Sequence, residues 1–327
     1  MASKPPPYRL GIDLGGTKIH AVVIDRIGAV IGSARLPTKA DKGYAKVIKR
    51  IAEAALGAAD DAGIPFSKLG RVGLGVPGPV DREGNLLFAA NLGWKKSPVA
   101  ADVGARLQVG VVLGNDVNCG ALGETTYGAA AGVASAAMFF VGTGLGGAVV
   151  VNGTILNGAH GFGGEFGHIP APFGDAQCGC GNRGCLETVA SKTGIVRLIS
   201  EAVRRKIPCK LEAFAGGKIP VGGATVKSGE LHRAFRAGCP ATRAALNHAS
   251  AGIAWGMQVI GNAIDPETYV LGGGVMQALG RDLVPLVRRQ LKGSCALYRR
   301  VAPDLRLAKL GDDAVAIGAA VLAGSEA

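Results

Sequence analysis

The chain reads as a two-lobed α/β protein, and three features predict this. Two β-rich hairpins with glycine turns, Asp13-Leu-Gly15-Gly16-Thr17 and Val141-Gly142-Thr143-Gly144-Leu-Gly146-Gly147, resemble each other, and each opens a lobe. Strand patterns alternate with helical ones after each hairpin, as layered α/β folds require. The 327 residues are long for one core and comfortable for two.

The first lobe starts with Tyr8 to Leu14 and Ile19 to Asp25, which alternate and are β-rich. Ala29 to Arg35 continues the meander. Tyr44 to Ala62 places Val47, Ile48, Ile51 and Ala55 at helical intervals and stops at Gly63-Ile-Pro65. Strand Arg71 to Val76, a loop through Pro77-Gly78-Pro79 and strand Val109 to Asn115 follow, then a helix over Asp116 to Thr126. In the second lobe, strands Ala137 to Val141 and Ala148 to Val151 flank the glycine turn. A helix is expected near Glu187 to Arg205, a Gly-, Lys- and Pro-rich surface excursion over 206–230, and a long helix over Ala241 to Ile264. Strand Tyr269 to Leu271, Gly272-Gly273-Gly274 and a helix over Gly280 to Leu291 come next. Asp312 to Ala323 is a helix packing back on the first lobe. The expected domains are 1–126 with 312–327, and 127–311.

Charged residues make up 18% and hydrophobic ones 48%, which excludes a disordered chain. Glycine, at 53 residues, is about twice its usual share and clusters where backbone would lie close to ligands. The first residues carry no secretory pattern. From Thr125 to Gly164 no Asp, Glu, Lys or Arg occurs, enough to pass a crude test for a membrane span. The glycine turn at its centre makes a buried β-hairpin the better reading. The net charge of +12 fits a solvated face or a nucleotide site. Seven residues before the first strand leave no room for a helix-turn-helix, so neither nucleic acid nor membrane is expected as a partner.

Three thiols fall within eight residues as Cys178-Gly-Cys180-x4-Cys185, with His168 ten residues upstream. Glycines 179, 181 and 184 let so short a loop fold back, since they adopt positive φ without steric cost. A disulfide would use thiols in pairs and leave one over, and cysteines one residue apart are badly placed to bridge. A Cys3His set suits tetrahedral Zn2+. With no secretory signal, such a cluster favours a reducing cytoplasm. Cys119, Cys209, Cys239 and Cys295 are scattered and read as free thiols; His20, His160, His232 and His248 read as structural or exposed.

Gly163-Gly164-Glu165-Phe166-Gly167-His168, followed by Cys178-Gly-Cys180-Gly-x-x-Gly-Cys185-x-Glu187, resembles the signature of the ROK family of sugar kinases and sugar-responsive repressors, from about residue 8 to 323. The resemblance implies an actin-like, hexokinase-type (ribonuclease H-like) fold whose two lobes close over ATP. Asp13, Gly15, Gly16, Thr17 and Lys18 then match a phosphate-1 turn, with backbone N–H groups facing phosphate and Asp13 holding Mg2+ through water. Gly142-Thr143-Gly144 matches a phosphate-2 turn, with Ala148 where many relatives carry a further glycine, and Gly272, Gly273 and Gly274 match an adenosine-side turn. Asn115-Asp116 matches a sugar ligand and the catalytic base; an N-cap on the following helix is the plainer role for Asp116, and both can hold. Gly78, Asn91, Asn115, Asp116, Glu165, His168 and Glu187 are the implied sugar ligands, since carboxylates, amides and an imidazole suit a polyol.

The expected activity is phosphorylation of a hexose by ATP, glucose at its 6-hydroxyl first, because Asn91-Leu-Gly-Trp94 is closer to the family's glucokinases than to its fructokinases. An N-acetylhexosamine kinase or fructokinase is the alternative, and a non-catalytic sugar-sensing regulator the distant one. Structural Zn2+, Mg2+ with ATP, and a homodimer or homotetramer complete the expectation.

Overall fold

A computed structural model describes residues 7–81, 83–215, 226–294 and 296–325. The chain forms two compact units, one of Met1–Gly132, Gly153–Gly163 and Lys309–Ala327, the other of Val133–Asn152 and Gly164–Ala308.

In the first unit β1 (Arg9–Leu14), β2 (Lys18–Ile24), β3 (Val30–Pro37), β4 (Val72–Val76) and β5 (Val111–Asn115) form a sheet of order β3-β2-β1-β4-β5. The β1–β2–β3 meander is antiparallel, and β1, β4 and β5 are parallel. Strand period 2 sorts β2 between two cores. Ile19, Ala21 and Val23 join Val47, Ile48 and Ile51 of α1 (Tyr44–Asp61), while Val22 and Ile24 join Ala316, Ile317 and Ala320 of the C-terminal helix α10 (Ala314–Ser325). Helix α2 (Val99–Leu107), absent from the sequence reading, adds Val99 and Val103 to the α1 side; α3 (Asp116–Thr126) follows β5 as expected.

Many glycines here serve packing within the protein. A Cβ on Gly11 or Gly73 would lie 2.0 or 1.7 Å from the carbonyl oxygens of Ala316 or Ala319, and one on Gly318 would lie 1.6 Å from that of Cys119. Helix α10 therefore rests directly on the backbone of β1, β4 and α3. The buried Glu124 carboxylate fastens its approach, accepting from the N–H groups of Ala129 (2.7 Å), Lys309 (2.9 Å) and Leu310 (2.8 Å).

In the second unit β6 (Ala136–Val141), β7 (Leu145–Val151), β9 (Thr268–Gly272) and β10 (Asp304–Leu307) follow the order β10-β9-β6-β7, while the two-residue β8 (Thr154–Ile155) falls in the 153–163 stretch of the first unit. The uncharged stretch is thus a hairpin, and no helix of the described residues is long and apolar enough to cross a membrane. Around the sheet lie α4 (Glu187–Ala190), α5 (Lys192–Arg204), α6 (Ser228–Arg236), α7 (Pro240–Ile264), α8 (Gly273–Ser294) and α9 (Ala296–Arg300). Phe139, Leu186, Ile199, Leu246, Ile253, Met257 and Leu271 share this unit's core.

Three elements differ from expectation. The helix foreseen over 187–205 is broken at Ser191, which is extended (φ −116°, ψ 169°) and caps α5 by accepting from Gly194 N–H at 3.0 Å. Helix α8 starts at Gly273, seven residues before the expected Gly280, because Gly273 makes the turn out of β9 with φ +85°. The flanks of the 206–230 stretch are docked: Leu211 and Val226 are buried, and α6 begins at Ser228. Residues 216–225 of that stretch and Cys295 lie outside the described residues.

The isolated histidines have structural surroundings or are exposed. His20 is buried 3.6 Å from Asp313, His232 pairs with Asp282 at 3.2 Å, His248 stands edge-on to Phe173, and His160 is exposed. Cys119, Cys209 and Cys239 are free thiols, but the last two are not scattered, for their sulfurs are 3.7 Å apart.

Candidate active site

Antiparallel β1 and β2 are in register from Leu14↔Ile19 outward, so residues 15–18 must turn the chain. Gly15 N–H donates to the Lys18 carbonyl at 2.9 Å. Buried Thr38 holds the turn from behind: its hydroxyl donates to Gly15 O at 2.7 Å and its N–H to Thr17 O at 2.9 Å. Neither Gly15 nor Gly16 has positive φ. Gly16 instead makes room, since a Cβ there would lie 3.4 Å from the Asn91 amide nitrogen. Asn91 is exposed on a 3-10 turn closed by the Ala89↔Trp94 bridge, and Trp94 meets Tyr44 edge-on at 4.8 Å. Thr17 is exposed and Lys18 pairs with Asp312 at 3.6 Å. Burial pushes the Asp13 carboxyl up to about 6, with Lys18 opposing and Asp312 adding to the rise.

The neighbouring strand ends carry the other first-unit residues. The Asn115 side-chain oxygen accepts from Asn118 N–H at 3.1 Å and caps α3, while its amide donates to Gly78 O at 3.2 Å. The cap foreseen for Asp116 therefore belongs to Asn115. Asp116 is the first residue of the helix, and its Oδ1 accepts from Val117 N–H at 2.8 Å. Gly78 is glycine for a steric reason: a Cβ would lie 2.0 Å from Phe88 O. Parallel register aligns Asp13 with Gly75, Gly75 with Gly114, and Val76 with Asn115. Asp13, Gly78 and Asp116 thus all leave the carboxyl ends of adjacent parallel strands, where open α/β sheets bind ligands.

In the second unit the break at Ser191 explains itself. Lys192 N–H donates to Gly142 O at 2.9 Å, and Thr193 takes Thr143 O with its N–H (3.3 Å) and hydroxyl (2.9 Å). A continuous helix would have spent those N–H groups on itself. Ser191 and Thr193 were missed in the sequence; the only signal was Ser191-Lys-Thr-Gly194, an ordinary capping pattern. The front of the turn meets Glu187, whose Oε2 accepts from Leu145 N–H at 2.8 Å; a Cβ on Gly144 would lie 2.3 Å from that oxygen. Gly273 is crowded by Val141 O at 2.6 Å and Gly272 by the Phe140 ring at 2.8 Å, whereas Gly274 has nothing nearer than Ser228 Oγ at 3.9 Å. Of the triplet, only Gly274 keeps open space at the start of α8.

The loop before Glu187 is closed by Cys178 N–H to Asn182 O (2.9 Å) and Gly184 N–H to Ala176 O (3.0 Å). Gly181 (φ +96°) and Gly184 (φ +72°) turn it; Gly179, expected to help, has no positive φ. The donor atoms of His168, Cys178, Cys180 and Cys185 lie within 4.8 Å of one another. With Zn–S bonds of about 2.3 Å, the edge of a tetrahedron is about 3.8 Å. The Cys180–Cys185 sulfurs are 3.7 Å apart, and Cys178 Sγ is 3.7 Å from His168 Nδ1, so the set fits one tetrahedral ion. The other imidazole nitrogen, Nε2, faces Glu165 Oε2 at 3.9 Å. Cys178 Sγ also lies 3.6 Å from Glu187 Oε1, which links the cluster to the glycine turn through a single carboxylate.

A family model described as the ROK family matches residues 9–326. A glucokinase from Halalkalibacterium halodurans is 33% identical over 313 residues, covering 95% of this chain and 93% of that protein. Among solved structures, a ROK family glucokinase from Streptomyces griseus in complex with glucose and AMPPNP superimposes with a TM-score of 0.80 at 29% identity, covering 97% of this chain and 99% of that one. A ROK hexokinase from Thermus thermophilus gives a TM-score of 0.77 at 34% identity, covering 98% of each chain. The fold expected from the paired hairpins, two-lobed α/β of the hexokinase type, is the fold of these neighbours. With nearly its whole length matched, the chain belongs to the ROK family.

Proposed function

We propose that the chain is an ATP-dependent hexose kinase with glucose, at its 6-hydroxyl, as the first acceptor. The observation that carries this reading is the alignment of Asp13, Gly78 and Asn115-Asp116 at the carboxyl ends of β1, β4 and β5, with Asn91 over Gly16 beside them. A sugar hydroxyl is a poor nucleophile until a positioned base takes its proton. Asp116 is that base, set at the first residue of α3 by the Asn115 cap. Asn91, Asn115, Gly78, Glu165, His168 and Glu187 hold the sugar's other hydroxyls. The transition state needs mostly alignment and charge neutralisation. Backbone N–H groups at Gly15 to Lys18 and Gly142 to Gly144 supply it for the phosphates, and Gly272 to Gly274 receives the adenosine. Mg2+, held through water at Asp13, would neutralise phosphate charge.

Zinc in the Cys3His set is structural in this reading. Without a cation, burial holds the Cys178 thiol up to about 12, so a divalent ion is what would let three thiolates share the site. His168, Cys178, Cys180 and Cys185 would hold it, fixing Glu165 through His168 and Glu187 through the loop.

A coupled ADP-release assay over glucose, mannose, fructose, N-acetylglucosamine and N-acetylmannosamine tests the proposal. Glucose is expected to give the highest kcat/KM. A preference for an acetamido sugar would move the assignment to an N-acetylhexosamine kinase. Sugar binding with no ADP release for any acceptor would leave a sugar sensor.

A further inference from the structure

Cys209 and Cys239 take no part in the site above, yet the fold brings their sulfurs to 3.7 Å across thirty positions of sequence. Cys239 is fully buried and caps the N-terminus of the 25-residue α7. Its sulfur accepts from Lys210 N–H at 3.1 Å and from Thr242 N–H at 3.5 Å. The Thr242 hydroxyl is buried beside it and has no hydrogen-bond partner among the described residues. Cys209 is half-buried. The backbone fixes both: Ala241 N–H donates to Pro208 O at 3.1 Å, Cys239 N–H to Ala234 O at 3.0 Å, and the Lys210 ammonium to Ala237 O at 3.1 Å.

A sulfur that accepts from two backbone N–H groups at a helix N-terminus is one suited to carry negative charge. Burial works against ionisation of Cys239, but the groups of Thr242 and Lys210 around it outweigh that, and its thiol falls below the usual value. Burial holds its neighbour Cys209 up to about 11. Cys209 is therefore the reachable thiol, and Cys239 the buried one whose ionised form its N–H donors favour. A disulfide is about 2.0 Å long, so the pair closes with a sulfur movement of under about 2 Å.

We propose that Cys209 and Cys239 are a reversible dithiol–disulfide pair, oxidised by low-molecular-weight disulfides of the glutathione class. The small thiolate fraction of Cys209 attacks one sulfur of the small disulfide; the S–S bond breaks, one small thiolate leaves, and a mixed disulfide stays on Cys209. The Cys239 thiolate then attacks Cys209 Sγ, forming the internal bond and expelling the second small thiolate. The two protons lost by the protein go to the two leaving thiolates, and two electrons pass from the protein pair to the small disulfide. The product ties the N-terminus of α7 to the segment after α5 and closes the chain around α6.

The test uses the reduced protein, whole chain and as purified. It is exposed to oxidised glutathione, unfolded in urea with iodoacetamide present so that buried thiols are labelled, digested without reductant and mapped by mass spectrometry. The expected result is a Cys209–Cys239 linked peptide that dithiothreitol separates, with alkylation at both positions down by roughly tenfold or more. Cys239→Ser is expected to trap one glutathionyl group on Cys209, and Cys209→Ser to leave Cys239 alkylated as in the untreated protein. Full alkylation of both residues after oxidation overturns the proposal, as does a bond from either one to Cys178, Cys180, Cys185 or Cys295. Because the deciding measurement is on the unaltered chain, a variant that fails to fold does not weaken it.

Discussion

In the proposed mechanism Asp116 accepts a proton from an alcohol, and the capping work it could have been doing falls to Asn115. Replacing Asp116 with Asn keeps the size and most hydrogen bonding but removes the acceptor. With folding intact, kcat is expected to fall by about two to four powers of ten while glucose binding changes little, the scale of a general base. A near-normal kcat would remove Asp116 from the mechanism. Asp13 gives a pH prediction. Burial raises its carboxyl from 3.8 to about 6, so the folded protein favours its neutral form. Its contribution to stability is therefore full below the unfolded value and is lost as pH rises through about 6. Cation binding has the opposite sign, because only the carboxylate accepts from metal-bound water. Below pH 6 the KM for Mg·ATP is expected to climb about tenfold per unit, one proton competing per site. The KM for sugar should stay flat, and steady-state kinetics from pH 5 to 8 would read both.

The element that most shapes the second unit is the short connection from the cysteine loop to α5. Glu187 touches Leu145 N–H on one side and Cys178 on the other, and two residues after α4 the chain uses its N–H groups on the glycine turn. Losing zinc from the proposed Cys3His site should therefore disturb sugar recognition first. Chelation, or Cys180→Ser, is expected to raise the KM for sugar far more than the KM for ATP and to lower Tm, with about one zinc per chain found in the active protein. Active protein free of zinc, or Cys180→Ser with unaltered sugar KM, would overturn this role for the loop. In the first unit the analogous constraint is steric. Gly73→Ala puts a methyl 1.7 Å from Ala319 O. Neither strand nor helix backbone can give way, so a loss of about 3 kcal/mol is expected, the upper end for overpacking. A fall in the urea midpoint at unchanged m would measure it.

At the scale of the whole molecule, a substrate that binds the native chain and not the unfolded one should stabilise it by mass action. Glucose at a hundred times its Kd is expected to add about 2.7 kcal/mol, seen as a rise in Tm. Fructose at the same concentration should add much less. Equal shifts from both sugars would reject the glucose preference drawn from Asn91-Leu-Gly-Trp94.

What could be read from the sequence alone was whatever depends on neighbours along the chain. Period-2 alternation specified the β1–β2–β3 meander and the β6–β7 hairpin, and helical spacing specified α1 and α7. The spacing of His168, Cys178, Cys180 and Cys185 specified a four-donor set, because a short loop can bring such residues to one point whatever surrounds it. Tertiary structure alone decided the rest. Residues 153–163 pack with the first unit, where Asn118 donates to the Asn157 side chain at 2.9 Å. The expected helix breaks at Ser191 because the carbonyls of Gly142 and Thr143, nearly fifty residues earlier, compete for its N–H groups. Glycines taken for ligand contacts at 78, 272 and 273 are also demanded by the backbone or side chain beside them. Cys209 meets Cys239 only because Pro208 docks on α7. Such pairs leave no periodic trace in the sequence: each is set by which surfaces meet once the elements pack, and not by the local preferences that form those elements.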